Sequence, residues 1–425
     1  MNLIEELRWR GLIHDIMPGT EEQLNKEMTT GYVGFDPTAD SLHIGSLVPI
    51  LLLVHMQKCG HKPIALIGGA TGMVGDPSGK SDERNLLSEE TLAKNVAGIK
   101  AQLESFLDFS PERTNAAVMA NNYDWFKGIG FIDFLRDTGK HITVNYMMAK
   151  ESVRKRIDGE TGISYTEFAY QLMQGYDFYW LYQNMNCKLQ FGGSDQWGNM
   201  TTGTELIRRK AAGEAFVFTN PLITKSDGGK FGKTEQGNVW LDPIKTTPFQ
   251  FYQFWLNAAD SDAEKWIRIF TFLPKEEIES LIAEHQADPS KRILQKRLAQ
   301  EVTSFVHGEE EYVKALETTS KLFSAVAAPV ESLSPEDLQN LEGIVRIDYP
   351  RNKLDESPDI VSFLADMAIL PSKGEARKMI QNGGVSINRK KVEGVDFKLD
   401  ASLLLHNEFL LIQKGKKTHY LLRVQ

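Results

Sequence analysis

The chain has 425 residues, of which 41% are hydrophobic, 10% aromatic and 25% charged, ordinary values for a multidomain globular protein that exclude a disordered or fibrous polymer. Its two cysteines, Cys59 and Cys187, stand far apart with no Cys-x-x-Cys or paired-histidine companion, so neither a disulfide framework nor a zinc site is expected. The net charge of −9 is uneven: residues 357–425 hold 11 Lys and Arg against 7 Asp and Glu, a net of +4, which leaves −13 on residues 1–356. A basic tail on an acidic body suits one polyanion-binding module, and equally a solvated charged surface.

The N-terminal MNLIEELRWRGLIHDI is amphipathic and carries acids, unlike a signal or transit peptide, and no apolar run reaches the ~18 residues of a membrane span. A cytoplasmic protein without a membrane partner is expected. TGYVGF (30–35) and KPIALIGG (62–69) read as buried strands, with a helix over HIGSLVPILLLVHMQKCG (43–60) between them, closed by Gly60. Strand, helix and strand with short connections imply a right-handed parallel crossover, hence a doubly wound, Rossmann-like α/β domain with ligands at the carboxyl ends of its strands. Between the first strand and the helix lies DPTADSLHIGS (36–46), which puts His43 and Gly45 in the first helical turn. There the dipole and free N–H groups favour an anion, and a glycine lets a flat purine approach the backbone; taken singly, His43 fits a helix cap as well.

Further along, SYTEFAYQLMQGYD (164–177) sets Tyr170, Gln174 and Asp177 at i, i+4 and i+7, one face of a helix that serves either a polar ligand or a buried hydrogen-bond network. KLQFGGSDQWGN (188–199) gives a later strand ending in Gly192 and Gly193, with Asp195 as a carboxylate able to accept ribose hydroxyls. DGGKFGKTEQG (227–237) looks like a Walker loop but has Asp227 where the first glycine belongs, and no helix-forming stretch follows Thr234. What remains is a glycine-flexed arm carrying Lys230 and Lys233, suited to bringing two charges onto a polyphosphate. From about Pro248 to Phe323 the pattern is helical; 326–356 is proline-containing and weakly periodic, with one short helix in a linker; a small α+β module closes the chain.

The histidine motif and KFGKT together resemble the two signatures of class I aminoacyl-tRNA synthetases. With YVGFDPTADSLHIGS, GGATGMVGDPSGK (68–80), SYTEFAYQLMQGYD and GGSDQWGN in order, the chain resembles the bacterial-type tyrosyl-tRNA synthetases over essentially its whole length. The resemblance implies an α/β catalytic domain at 1–219 including a dimer-interface insertion, a lysine-loop connector at 220–246, a helical anticodon-recognition domain at 247–325, a linker at 326–356 and an S4 RNA-binding domain at 357–425. It also implies ATP-dependent activation of L-tyrosine and transfer to the 3′-terminal ribose of tyrosine tRNA, with ATP and Mg2+ as substrate and no zinc or tightly bound cofactor.

By the same resemblance, Tyr32 and Asp177 hold the phenolic hydroxyl, Tyr170, Gln174 and Asp76 the ammonium, and Gln196 lies near the carboxylate. Thr38 and His43 meet the γ-phosphate, Lys80 and Arg84 the departing pyrophosphate, and Lys230, Lys233 and Thr234 the outer phosphates from a mobile loop. Asp36, Gly45, Ser46, Gly192, Gly193 and Asp195 belong to the ATP site. Ser46 departs from the family pattern, which commonly has a second histidine there near the ribose. IVSFLADMAILPSKGEARKMIQNGGVSINRKKV (360–392) resembles an S4 domain, whose basic face, Lys373, Arg377, Lys378, Arg389, Lys390 and Lys391, is expected to meet RNA phosphates. A homodimer through NNYDWFKGIGFIDFLRDTGKHITVNYMMAK (121–150) is implied too. The rivals are a phosphate-loop NTPase, which leaves the C-terminal module idle, and a non-catalytic RNA-binding relative, at odds with the retained catalytic side chains.

Overall fold

The computed structural model describes residues 2–76, 87–159, 162–226, 228–229, 231–234, 237–323, 330, 333–339, 341, 344–415 and 418–425, and gives only the backbone at 233–234, 323 and 336–337. The chain divides into two compact units, one of residues 1–246 and 255–302, the other of 247–254 and 303–425.

The first unit is built on five parallel strands: β1 (Thr30–Phe35), β2 (Lys62–Ile67), β3 (Val118–Asn121), β4 (Cys187–Gly193) and β5 (Phe216–Asn220), in the order β3-β2-β1-β4-β5. The strands are apolar runs because both faces are covered, the usual consequence of parallel crossovers. α1 (Leu47–Lys58) returns the chain from β1 to β2 and is buried almost all round, which is why LVPILLLVHM carries no polar stripe. α2 (Glu89–Phe106), capped by Ser88, precedes β3. α3 (Tyr165–Met185) starts at a Ser164 cap whose hydroxyl accepts the Glu167 N–H, ends at left-handed Asn186, and runs into β4; α4 (Trp197–Ala211) joins β4 to β5. The order reverses between β1 and β4, where Tyr32 faces Ile64 on one side and Gln190 on the other. The expected doubly wound sheet is thus present, with its switch point at those two strands.

Residues 255–302, expected in a separate helical domain, fall in this same unit. They include α5 (Asp260–Phe270), an amphipathic helix with Trp266, Ile267 and Phe270 buried. Arg10 follows the N-terminal helix Leu3–Trp9 and is 3% exposed. Its guanidinium donates to the carbonyls of Arg268 (2.8 Å), Thr271 (2.6 Å) and Leu273 (2.9 Å) and to Glu6 (2.7 Å), so it satisfies the carbonyls at the end of α5 and ties that helix to the chain's first turns.

The second unit contains α6 (Glu309–Phe323) and a second five-stranded sheet. β6 (Val345–Tyr349), β7 (Val385–Ile387), β8 (Lys390–Lys391), β9 (Phe409–Lys414) and β10 (Thr418–Val424) stand in the order β8-β7-β9-β10-β6. Leu410, Ile412 and Leu422 meet α7 (Ile360–Asp366) and α8 (Lys373–Gln381) in one core with Phe363, Leu364 and Ile380. Within the stretch expected as linker, the short helix is Pro335–Gln339, and β6 pairs in parallel with β10, Ile347 opposite Leu422. The sheet therefore begins before residue 357. Its partner strand lies some 70 residues on, a long-range pairing that local periodicity does not carry.

Candidate active site

At the carboxyl ends of β1 and β4 a cavity of about 380 Å3 opens, lined by Tyr32, Asp36, Asp76, Tyr170, Gln174, Asp177, Gln190, Gly192, Gly193, Asp195 and Gln196 among others. The sequence-expected tyrosine-site residues are all brought together here. Among the described residues that line it there are four carboxyl groups and no lysine, arginine or histidine, a lining that favours a cationic group.

At its inner end Asp177 is 2% exposed and held by two donors: the Asn122 amide to one oxygen (3.0 Å) and the Trp125 indole N–H to the other (2.9 Å). Burial pushes its carboxyl up to about 8, against the pull of those two bonds, and the charge of Asp36 adds to the rise. Tyr32, 1% exposed, has a hydroxyl with no hydrogen-bond partner among the described residues, and burial holds its phenol protonated. An orphaned buried donor beside a buried carboxyl is what a ligand hydroxyl, able to accept from one and donate to the other, would satisfy.

Nearer the mouth, the Tyr170 hydroxyl donates to Asp36 Oδ2 (2.8 Å), and Asp36 Oδ1 accepts from Thr71 (2.9 Å). Asp36, expected at ATP, thus orients the phenol of another lining residue. Gly68 leaves room for this, since a Cβ there would stand 2.2 Å from Asp36 Oδ1 and 2.4 Å from the Thr71 hydroxyl. Asp76 accepts from Gln196 (2.7 Å) and Asn199 (3.3 Å), and the side-chain carbonyl oxygens of Gln174 and Gln190 are buried without partners among the described residues. Two spare carbonyls and a carboxylate make an acceptor set for an ammonium group. Asp195 accepts from Gln196 (3.2 Å), and burial raises its carboxyl.

The histidine motif lies beside this cavity. His43 caps a single 3-10 turn, Ile44–Ser46, ahead of α1, and its Nδ1 accepts the Gly45 N–H (3.0 Å). A neutral ring bonded in that way carries its proton on Nε2, leaving that nitrogen a donor. Ser46 is half-buried, and its N–H donates to the His43 carbonyl (2.8 Å). Exposed Thr38 donates its N–H to the Asp36 carbonyl (2.9 Å). The lysine segment returns to the same place: the Ile44 N–H donates to Val239 (3.0 Å), the Leu241 N–H to Leu42 (2.9 Å), and the Trp240 ring stands edge-on to His43 at 6.2 Å. The backbone of Lys233 and Thr234 pairs antiparallel with Gly237 and Asn238. Lys80, Arg84 and Lys230 lie outside the described residues.

In the second unit, Lys373, Arg377 and Lys378 are exposed on α8, and Lys390 and Lys391 on β8. Lys391 Nζ comes within 3.8 Å of where a Cβ on Gly383 would sit, so the turn after α8 and β8 adjoin. Arg389 differs from the others: it is half-buried, in a left-handed conformation, and donates to the Lys321 carbonyl.

Residues 24–324 match the profile of tRNA synthetases class I (W and Y), and residues 341–422 match the tyrosine–tRNA ligase SYY-like C-terminal domain. A tyrosine–tRNA ligase of Flavobacterium johnsoniae is 59% identical over 429 residues, spanning 100% of this chain and 99% of its own length. This chain belongs to the tyrosine–tRNA ligase family. The namesake protein of Bacteroides thetaiotaomicron is 58% identical over 427 residues, covering 99% of each. Among solved structures, a C-terminally truncated mitochondrial tyrosyl-tRNA synthetase of Aspergillus nidulans shares 30% identity at a TM-score of 0.68, over 76% of this chain and 94% of that one. A tryptophanyl-tRNA synthetase of Plasmodium falciparum, 15% identical, shares the fold at a TM-score of 0.53 over 79% of this chain and 87% of that one. The class I tRNA synthetases are ligases that use ATP as a substrate.

For a tyrosine–tRNA ligase, the site includes residues that the sequence alone did not single out: Asn122, Trp125, Thr71 and Gln190. Asn122 and Trp125 follow β3, at the start of and within the four-residue helix Tyr123–Phe126, too short for periodicity to mark, and Gln190 lies in a strand read only as buried.

The raised Asp177 carboxyl has a measurable consequence. A native state that keeps a proton the unfolded chain releases is most favoured below the unfolded carboxylate pKa, and that advantage is lost as pH rises from roughly 4 to about 8. Calorimetry of the ligand-free protein between these limits is expected to show a downward slope of melting temperature with pH that is shallower in Asp177→Asn. Equal slopes would mean that Asp177 does not carry the proton.

Proposed function

We propose that this chain activates L-tyrosine with ATP and transfers it to the 3′-terminal ribose of its tRNA. The observation that carries the amino-acid choice is the pair at the inner end of the cavity, an unpartnered Tyr32 hydroxyl and a buried Asp177 carboxyl. The substrate phenol accepts from Tyr32 and meets Asp177. Its ammonium is received by Tyr170, Gln174 and Asp76, with the Gln190 carbonyl a further acceptor. Gln196 orients the carboxylate. Phenylalanine would fill the same volume and leave two buried polar groups unsatisfied, a penalty of about 1–3 kcal/mol for each.

The tyrosine carboxylate, ionised near pH 7, attacks the α-phosphate; a carboxyl–phosphorus bond forms, the α–β anhydride bond breaks, and pyrophosphate leaves, with no general base needed. The phosphates lie outside this acidic cavity, towards Thr38 and towards His43, whose Nδ1 accepts the Gly45 N–H so that a neutral ring carries its proton on Nε2. Lys230, Lys233 and Thr234 act on the outer phosphates, and Lys80 and Arg84 on the departing pyrophosphate. Gly192, Gly193 and Asp195 receive the adenosine, Gly45 lies against the purine, and the Ser46 hydroxyl takes the ribose contact. Magnesium enters as part of the ATP substrate and neutralises phosphate charge; among the described residues no group of three or more His, Cys, Asp or Glu is arranged to hold a metal. A ribose hydroxyl of the tRNA then attacks the adenylate carbonyl, and AMP leaves.

Residues 247–325 are assigned to the anticodon region, and the basic face of 357–425 to the tRNA backbone. The protein acts in the cytoplasm as a homodimer. Supporting the dimer, Tyr123, Phe131 (64% exposed), Ile132 (70%), Val144 (58%) and Met148 leave an apolar surface within 121–150. Among the described residues no helix is long and apolar enough to cross a membrane.

Tyrosine-dependent ATP–pyrophosphate exchange tests the activity, and its absence would overturn the reading. Tyr32→Phe is expected to lose about 0.5–1.5 kcal/mol in kcat/KM, one neutral hydrogen bond. Asp177→Ala is expected to lose more, along with most of the preference for tyrosine over phenylalanine. Replacing Lys373, Arg377 and Lys378 together by Gln should leave exchange intact, weaken tRNA binding, and flatten the log affinity against log salt plot by roughly 2 in slope. An unchanged slope would remove α8 from the RNA face. Ile132→Asp should halve the mass seen by light scattering, and an unaltered mass would place the dimer contact elsewhere.

A further inference from the structure

We propose that Phe231, between the two lysines of KFGKT, is a positioning residue that docks the lysine segment into an aromatic socket made by Trp255, Trp266 and Phe270. The inference rests on the reading that Lys230 and Lys233 act on the ATP phosphates, and it adds what holds them in place. The Phe231 ring centroid lies 6.0 Å from Trp255, 5.1 Å from Trp266 and 5.2 Å from Phe270, stacked on the last with 15° between the planes. The socket itself is rigid, its three rings being at most 2% exposed.

Asp262, Trp266 and Phe270 are spaced by four and so form one stripe along α5. The stripe meets the segment twice. Asp262 Oδ1 accepts the Ser226 N–H (2.8 Å), upstream of the lysines, and the two rings receive Phe231 between them. Gly232 then turns the chain with φ +82, so closely against the histidine motif that a Cβ would sit 3.0 Å from Ile44 Cγ1. Its carbonyl accepts the Val239 N–H (3.1 Å), and Val239 in turn accepts the Ile44 N–H. Phe231 and Gly232 are thus wedged between α5 and the turn that carries His43. α5 is itself fixed by Arg10 through the carbonyls of Arg268, Thr271 and Leu273.

A glycine-rich segment loses much entropy when ordered, and one aromatic ring in a defined socket supplies a fixed point at low rotamer cost. Fixing Phe231 anchors the backbone from which Lys233, two residues on, extends. Charge stabilisation on the phosphates depends steeply on that placement.

Single-turnover adenylate formation, tyrosine affinity by equilibrium dialysis and the rate of trypsin cleavage within 225–233 decide the matter when measured on Phe231→Ala, Phe231→Leu and Lys233→Ala in the full chain. Phe231→Ala is expected to slow adenylate formation about ten- to a hundred-fold, leave tyrosine affinity unchanged and speed cleavage, while Phe231→Leu, which still fills the socket, recovers most of the rate. Faster cleavage with an unaltered rate of chemistry would overturn the positioning role while leaving the lysine reading intact, provided Lys233→Ala is slow. Loss of tyrosine affinity in Phe231→Ala would show a general disturbance of the fold and overturn it too. A Lys233→Ala enzyme as fast as the parent would overturn both the lysine reading and the inference built on it.

Discussion

The reversal of strand order between β1 and β4 is the constraint on which the site depends. All five strands run the same way, so their carboxyl ends converge, and crossovers leaving β1 and β4 toward opposite sides part above them and leave a crevice. Tyr32 and Gln190 are register partners across that gap, and each carries a buried polar atom without a partner. In the middle of an apolar sheet such atoms are a cost, and at the switch point they are within reach of a ligand. α3 descends onto the same place with Tyr170, Gln174 and Asp177 on the facing side, so one geometric accident of the winding gathers groups from three separate stretches of sequence.

Charge then divides the crevice. Asp36, Asp76, Asp177 and Asp195 line the cavity with no basic side chain among its described lining residues, whereas the turn that carries His43 pairs its backbone with the stretch that follows the lysine segment. A zwitterionic amino acid and a triphosphate need opposite fields a few ångströms apart, and separating the two sets of residues onto different loops meets that need without neutralising either. The backbone bonds of Ile44 with Val239 and of Leu241 with Leu42 keep the histidine motif and the stretch after the lysine segment in register with one another although about 200 residues separate them.

What could be seen in the sequence follows from the range of the interactions involved. β1, α1 and β2 are local, strongly patterned elements, and the face shared by Tyr170, Gln174 and Asp177 is a property of one helix. Both were legible, and so was the cluster of Lys373, Arg377 and Lys378 on α8. Asn122 and Trp125 were not, because their role exists only once β3 brings them to Asp177, 52 to 55 positions later in the chain. The same holds for β6, whose strand character comes from pairing with β10, and for the hydrogen bond from Tyr170 to Asp36, 134 positions apart. Residues 255–302 read as helical and are helical; that they pack with the parallel sheet's unit was decided by Arg10 and its carbonyl partners, which no periodicity encodes.

A pocket that rejects phenylalanine must be built so that it is uncomfortable when empty. Each orphaned group, the Tyr32 hydroxyl and the carbonyls of Gln174 and Gln190, forgoes about 1–3 kcal/mol in an unhydrated site, and Asp177 adds the expense of a buried carboxyl. Apolar packing beneath the sheet offsets this, and a bidentate Arg156–Glu167 pair, buried at 2.8 and 2.9 Å, fixes the start of α3. The pair anchors the helix that carries three of the pocket's polar groups, so the element most penalised by its own side chains is also one of the most firmly held. Discrimination between two substrates that differ by one oxygen therefore follows from where the protein tolerates unsatisfied polarity, and the rigidity around α3 is what prevents the pocket from collapsing to relieve it.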